Sequence, residues 1–176
     1  MIRFLTAGES HGPELTGIIE GVPAGFTISK EFIDSYLKRR QKDTGSGGRM
    51  NIESDEVFIL SGVVNNISTG APIALRIKNK DWENWKDKDI EPYVVPRPGH
   101  ADLIGTAKYD LNDIRLVLER SSARETAMRS AIGAIAIQVL ETMGISIYGY
   151  VSCLSLIHIS EPTRLLSISD AVFWVK

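Results

Sequence analysis

Two histidines stand where proton chemistry is feasible: His11 in TAGESHGP (Thr6 to Pro13) and His100 in VVPRPGHADL (Val94 to Leu103), each beside a glycine. Imidazole exchanges protons near neutral pH, and an adjacent glycine lets the backbone approach a ligand closely. Arginines recur around them. Arg97 sits between two prolines, Arg40 precedes and Arg49 lies within the glycine-rich run DTGSGGRMN (Asp43 to Asn51), and Arg120 and Arg124 lie in ERSSARETAMR, Glu119 to Arg129. Guanidinium groups match carboxylates and phosphates with paired hydrogen bonds, so the set suits a polyanionic ligand whose reaction needs proton transfer. Each motif alone has a plainer reading: a polar turn, a surface histidine, or a capped helix with a salt-bridged arginine.

Composition narrows the classes. The chain has 176 residues, 43% hydrophobic and 24% charged, and its 20 basic and 22 acidic side chains leave a net charge of -2. That balance gives no global attraction to nucleic acid, so any anion site must be local. Met1 to Leu5 reach Glu9 and His11 too soon for a signal peptide, and no apolar run is long enough to span a bilayer. A cytoplasmic location without a membrane partner is the expectation. Cys153 stands alone, and no Cys/His cluster has metal-ligand spacing, so neither a disulfide nor a bound metal is expected.

The pattern of elements is a mixture of strands and helices. Ile2 to Thr6 and Leu15 to Glu20 read as strands around the GESHG turn, and Glu56 to Gly62 and Pro72 to Lys78 as two more, with Ile73, Leu75 and Ile77 on one face. Ser29 is placed to cap a helix carrying Phe32, Ile33, Tyr36 and Leu37. A second helix is clearer. Ser122 and Glu125 have capping-box spacing, Met128, Ala131, Ile132, Ile135, Ala136, Val139, Leu140 and Met143 form an apolar stripe, and Gly144 ends it. Arg124 then falls on the buried face at the helix start, where a guanidinium requires an anion. Arg120, Ser121 and Ser122 add donors at that end.

GESHGPELTGIIEGVP (Gly8 to Pro23), RRQ with the glycine loop and GRM (Arg39 to Met50), RPGHAD (Arg97 to Asp102) and ERSSARETAMR occur in one order, and with them the chain resembles the chorismate synthase family from Met1 to about Tyr150. The resemblance implies a lyase of the shikimate pathway that eliminates phosphate from 5-enolpyruvylshikimate 3-phosphate in a 1,4 sense, using reduced FMN that is not consumed overall. It implies an α+β fold, the first portion of a β-α-β sandwich, truncated here, and a homotetramer for the full-length protein. Catalytic roles carry over to His11, by the leaving phosphate, and His100, by the flavin. Substrate contacts carry over to Arg40, Arg49, Arg97 and Arg124, and FMN contacts to Arg120, Ser121 and Ser122. The NADP-site position falls on Arg40 and Ser46, with NADPH or an outside donor as the source of electrons.

The chain departs from the family pattern at Ser46 and Gly48, where relatives carry basic residues, and at Ser130, where an apolar or threonine side chain is usual. Its end departs further. Leu154 to Lys176 (LSLIHISEPTRLLSISDAVFWVK) resembles a translated sequencing adapter, which divides the chain into a family portion, 1–153, and a non-native tail, 154–176, and denies His158 a catalytic role. Two other functions stay open: an inactive fragment that keeps partial FMN or phosphate binding, and a non-catalytic interaction protein.

Overall fold

A computed structural model describes residues 1–42, 53–154 and 168–175. The chain divides into two compact units, Met1–Ile135 and Ala136–Lys176.

In the first unit the elements run β1 (Arg3–Ala7), β2 (Glu14–Glu20), α1 (Lys30–Lys42), β3 (Val57–Ser61), the short pair β4 (Val63–Val64) and β5 (Ile67–Ser68), β6 (Ile73–Lys78), a 3-10 turn at Lys80–Asn84, α2 (Asp102–Tyr109), α3 (Arg115–Ser121) and the start of α4 (Glu125–Thr142). Four strands form one antiparallel sheet in the order β1-β2-β6-β3. Alternation sets its inner face. Leu15 pairs with Ile77, Gly17 with Leu75 and Ile19 with Ile73, while Val57 continues the row on β3. Leu15, Ile19, Val57, Ile73, Leu75 and Ile77 are all buried, each worth roughly 1.5–3 kcal/mol relative to exposure.

Helices complete the core. Phe32 N–H donates to Ser29 Oγ at 3.1 Å, so Ser29 caps α1 as its residue type suggests, and Ile33 and Leu37 are buried. The α4 residues Met128, Ala131, Ile132 and Ile135 are buried too. Helix α4 approaches β2 at Gly17, where an added Cβ would lie 2.6 Å from Met128 Sδ and 2.9 Å from Ile132 Cδ1. A side chain there would separate helix from sheet.

Two details differ from the sequence reading. Ser122 closes α3 instead of opening a capping box, because α3 runs to Ser121 and α4 starts only at Glu125. Helices α2 and α3, of 8 and 7 residues, were hidden in the sequence: each is too short for a periodic stripe, and neither N-cap residue, Ala101 or Ile114, makes a side-chain cap hydrogen bond.

In the second unit α4 runs on to Thr142 and stops at Gly144, whose φ of 74° suits glycine, with Ile145 N–H bonded to Leu140 C=O. Met143, expected on the apolar stripe, is exposed because the last helical residue precedes it. Strand β7 (Ile147–Leu154) pairs antiparallel with β8 (Ile168–Val175), with register shifts beside Cys153. Residues 155–167, including His158, lie outside the described residues. Among the described residues no helix is long and apolar enough to cross a membrane.

Gly17→Ala is expected to lower stability by roughly 1–3 kcal/mol through overpacking against Met128 and Ile132. The urea midpoint checks it; an unchanged midpoint would mean the contact is looser than described.

Candidate active site

The GESHG segment is a tight turn between β1 and β2. Gly8 has φ 107°, and a Cβ there would stand 2.5 Å from Glu14 C=O, so this position needs glycine. Gly12 is not in that region; its N–H closes the turn on Glu9 C=O at 3.2 Å. Asn79, at the end of β6 and buried, pegs the turn from behind: its Nδ2 donates to Glu9 C=O at 3.1 Å and Gly12 C=O at 2.8 Å. The same amide faces Arg124. Asn79 Oδ1 accepts from Arg124 Nε at 2.7 Å, Asp55 Oδ1 accepts from Arg124 Nη1 at 2.5 Å, and Lys78 C=O accepts from Nη2 at 3.2 Å.

The anion that the buried Arg124 requires is therefore the protein's own Asp55. Arg40 shares that carboxylate through Nη1 at 3.3 Å, and also donates to Thr126 Oγ1 and to Ala123 C=O. Burial, chiefly, pushes the Arg40 guanidinium below its ordinary range, and the neighbouring Arg124 charge adds to this.

His11 projects from the turn into a clamp. Its backbone N–H donates to Glu119 Oε2 at 2.7 Å, and its Nδ1 lies 2.8 Å from Glu119 Oε1. Ser10 N–H donates to Glu119 C=O, and Ser10 Oγ donates to Ser122 Oγ at 3.0 Å. The Trp85 ring covers the imidazole at 4.1 Å between centroids and is oriented by its own Nε1–H, which donates to Asp81 Oδ2 at 3.0 Å.

His100 is held by a second device. Arg97 donates to the fully buried Asp102 from its backbone N–H at 3.0 Å, from Nε at 2.9 Å and from Nη2 at 3.1 Å, which ties RPGH to the start of α2. Gly99, at φ 72°, turns the chain so that His100 N–H meets Arg97 C=O. The Arg97 hydrogen bonds hold the Asp102 carboxyl below its ordinary range, and Asp102 in turn raises Arg97.

These devices converge on one cleft of about 280 Å³, bordered by His11, His100, Arg97, Ser121 and Ser122 together with Trp85, Tyr93, Arg115, Leu118, Glu119 and Ala123. His11 also borders a neighbouring hollow of about 360 Å³ on the Trp82 side. Arg40 and Arg124 are not among the residues that border it, though Arg40 Nη2 donates to the C=O of Ala123, which does. Arg120 does not line it: its guanidinium donates to Thr6 C=O, Gly8 C=O and Glu125, and so braces the GESHG loop. Ser46 and Arg49 lie outside the described residues. Sequence reasoning missed Glu119, Trp85 and Arg115 as site residues. Glu119 heads the ERSSARE run, yet its partner is 108 residues away in sequence, and no local spacing carries such a pairing.

Asp102's carboxyl titrates lower when folded than when unfolded, so its contribution to stability is present above the ordinary carboxylate value of about 3.8 and fades as pH falls through the lower folded value. Asp102→Asn is expected to cost about 1–3 kcal/mol near pH 7, with the gap to the wild type narrowing below about pH 4. Denaturant midpoints across pH check this; a gap that stays constant would contradict the charge pairing.

Comparison with known proteins places the chain beside chorismate synthases. The family model of chorismate synthase matches residues 2–173, and so extends beyond the boundary at 153 set by the adapter-like tail. The chorismate synthase of Desulfitobacterium hafniense (strain Y51) is 55% identical over 172 residues, covering 92% of this chain and 45% of that protein. That of Caldanaerobacter subterraneus subsp. tengcongensis is 56% identical over 146 residues, covering 83% and 42%. A crystal structure of chorismate synthase superimposes with a TM-score of 0.68 at 43% identity, over 88% of this chain and 39% of that one. The chain thus spans less than half the length of these relatives. With nearly every residue inside the family match, and the fold shared with a solved member, the chain belongs to the chorismate synthase family.

Proposed function

We propose that the whole protein eliminates phosphate from 5-enolpyruvylshikimate 3-phosphate to give chorismate, and that this chain supplies the proton donor and part of the anion site. The observation that carries the reading is the convergence of His11, His100 and Arg97 on one cleft, from turns 89 residues apart in the case of the two histidines. A dicarboxylate phosphate needs fixed cations, and Arg97 and Arg115 border the cleft. As the C–O bond to phosphate breaks, charge collects on the departing oxygens. His11 Nε2 gives them a proton, which lowers the barrier at the point where charge develops.

The cleft suits a flat ring with an anionic tail: Trp85, Tyr93, Leu118 and Ala123 offer apolar wall, and Ser121, Ser122 and the arginines offer donors. These residues would hold reduced FMN, which when bound supplies the electron density the cleavage draws on and is recovered. NADPH is one source of its electrons. His100 borders the same wall and is assigned to the flavin side. A cytoplasmic location and a homotetramer of the whole protein belong to the same proposal. So does the Leu154 to Lys176 tail as a non-native segment.

Among the described residues the only carboxylate bordering the cleft is Glu119, and it is engaged by His11, so no free carboxylate among them is placed to take the carbon-bound proton. Binding without turnover is the expected behaviour of these 176 residues. Calorimetry with 5-enolpyruvylshikimate 3-phosphate should give one site, weakened about tenfold by Arg97→Lys, which keeps the charge on Asp102 but loses the guanidinium fork. An anaerobic phosphate-release assay with reduced FMN should stay at background. No binding, or binding indifferent to Arg97→Lys, would overturn the site assignment.

A further inference from the structure

We propose that Glu119 is a positioning residue for His11: its carboxylate fixes the neutral imidazole as the Nδ1–H tautomer and leaves Nε2 as the atom that exchanges a proton with the ligand. The inference rests on the proposed function only for the identity of that ligand.

Both oxygens of the carboxylate are committed to His11. Oε2 accepts from the backbone N–H at 2.7 Å, and Oε1 lies 2.8 Å from Nδ1. An ionised carboxylate has no proton to give, so the hydrogen between Oε1 and Nδ1 belongs to the ring. The Glu119 side chain is only 14% exposed, which shields this contact from water, and Trp85 closes the other side of the imidazole. Among the described residues Nε2 has no hydrogen-bond partner, and the ring borders the cleft.

The arrangement suits a donor that must act and recover without moving. When the imidazolium gives its Nε2 proton to a phosphate oxygen, the N–H electron pair stays on Nε2. The neutral ring that results is already the tautomer Glu119 binds, so no ring flip or rearrangement of partners accompanies the transfer. Without the carboxylate that product would be mismatched to its surroundings.

Glu119→Gln tests this at constant size. The backbone N–H of His11 can only donate, so the amide oxygen must turn to it and the amide NH2 must face Nδ1. The ring would then need a lone pair on Nδ1 and its hydrogen on Nε2. Long-range proton–nitrogen NMR of the labelled chain at about pH 8.5, above the ordinary imidazole range, reads the tautomer directly, with His11 assigned by His11→Phe. The wild type is expected as Nδ1–H and Glu119→Gln as Nε2–H, with the remaining amide spectrum preserved. An Nε2–H wild type overturns the proposal even if the variant does not fold, and an unchanged tautomer in the variant overturns it too. Adding 5-enolpyruvylshikimate 3-phosphate separates the two readings. A tautomer switch with no ligand response at Nε2 upholds Glu119 and refutes the ligand; a response at Nε2 with no switch does the reverse.

Discussion

The buried ion pair between Arg124 and Asp55 is the constraint on which the rest of the site depends. Both side chains are almost entirely removed from water, and a charge in that position is tolerated only when its partner and its remaining hydrogen bonds are in place. Removing one member of such a pair typically costs about 3–5 kcal/mol, because the other is left uncompensated. Satisfying Arg124 requires the segment before β3 to deliver Asp55, the end of β6 to deliver Asn79 and the Lys78 carbonyl, and the start of α4 to deliver the guanidinium. Asn79 then passes the constraint on, since its amide group is the peg of the GESHG turn. The electrostatics of the interior thus set the place of His11 on the surface.

That logic extends to the other arginines. Arg40 shares Asp55, Arg97 is forked onto Asp102, and Arg120 is divided between the carbonyls of Thr6 and Gly8 and the carboxylate of Glu125. Cations fixed by the protein's own acids hold their rotamers, and Arg97, the one of these that borders the cleft, is already ordered before any ligand arrives. The same carboxylates temper the positive field of the guanidinium groups, and the chain as a whole stays slightly acidic.

Much of this was legible in the sequence, for identifiable reasons. The alternation of Ile73, Leu75 and Ile77 and the apolar stripe from Met128 onward encode burial directly, and the strands and helices they predict are present. Gly-flanked histidines beside arginines marked His11, His100 and Arg97, which do share one cleft. What stayed hidden depends on pairing at long range. Asp55 looked like any loop acid, Asn79 like a strand end, and Glu119 like the first letter of a basic motif; each acquires meaning only from a partner many tens of residues away. Arg120 shows the converse, a residue marked as a ligand contact that the fold uses as a brace.

The most direct test is amide hydrogen exchange at Ser10 and His11 in the wild type and in Asn79→Ala. Both amides are bonded to Glu119, so they report whether the turn is held in place. Exchange at these two positions should accelerate by about tenfold or more in the variant, while Leu75 and Ile77 in the neighbouring strand remain within about twofold. Equal acceleration everywhere, or none at Ser10 and His11, would contradict the account in which the buried Arg124–Asn79 network positions the histidine.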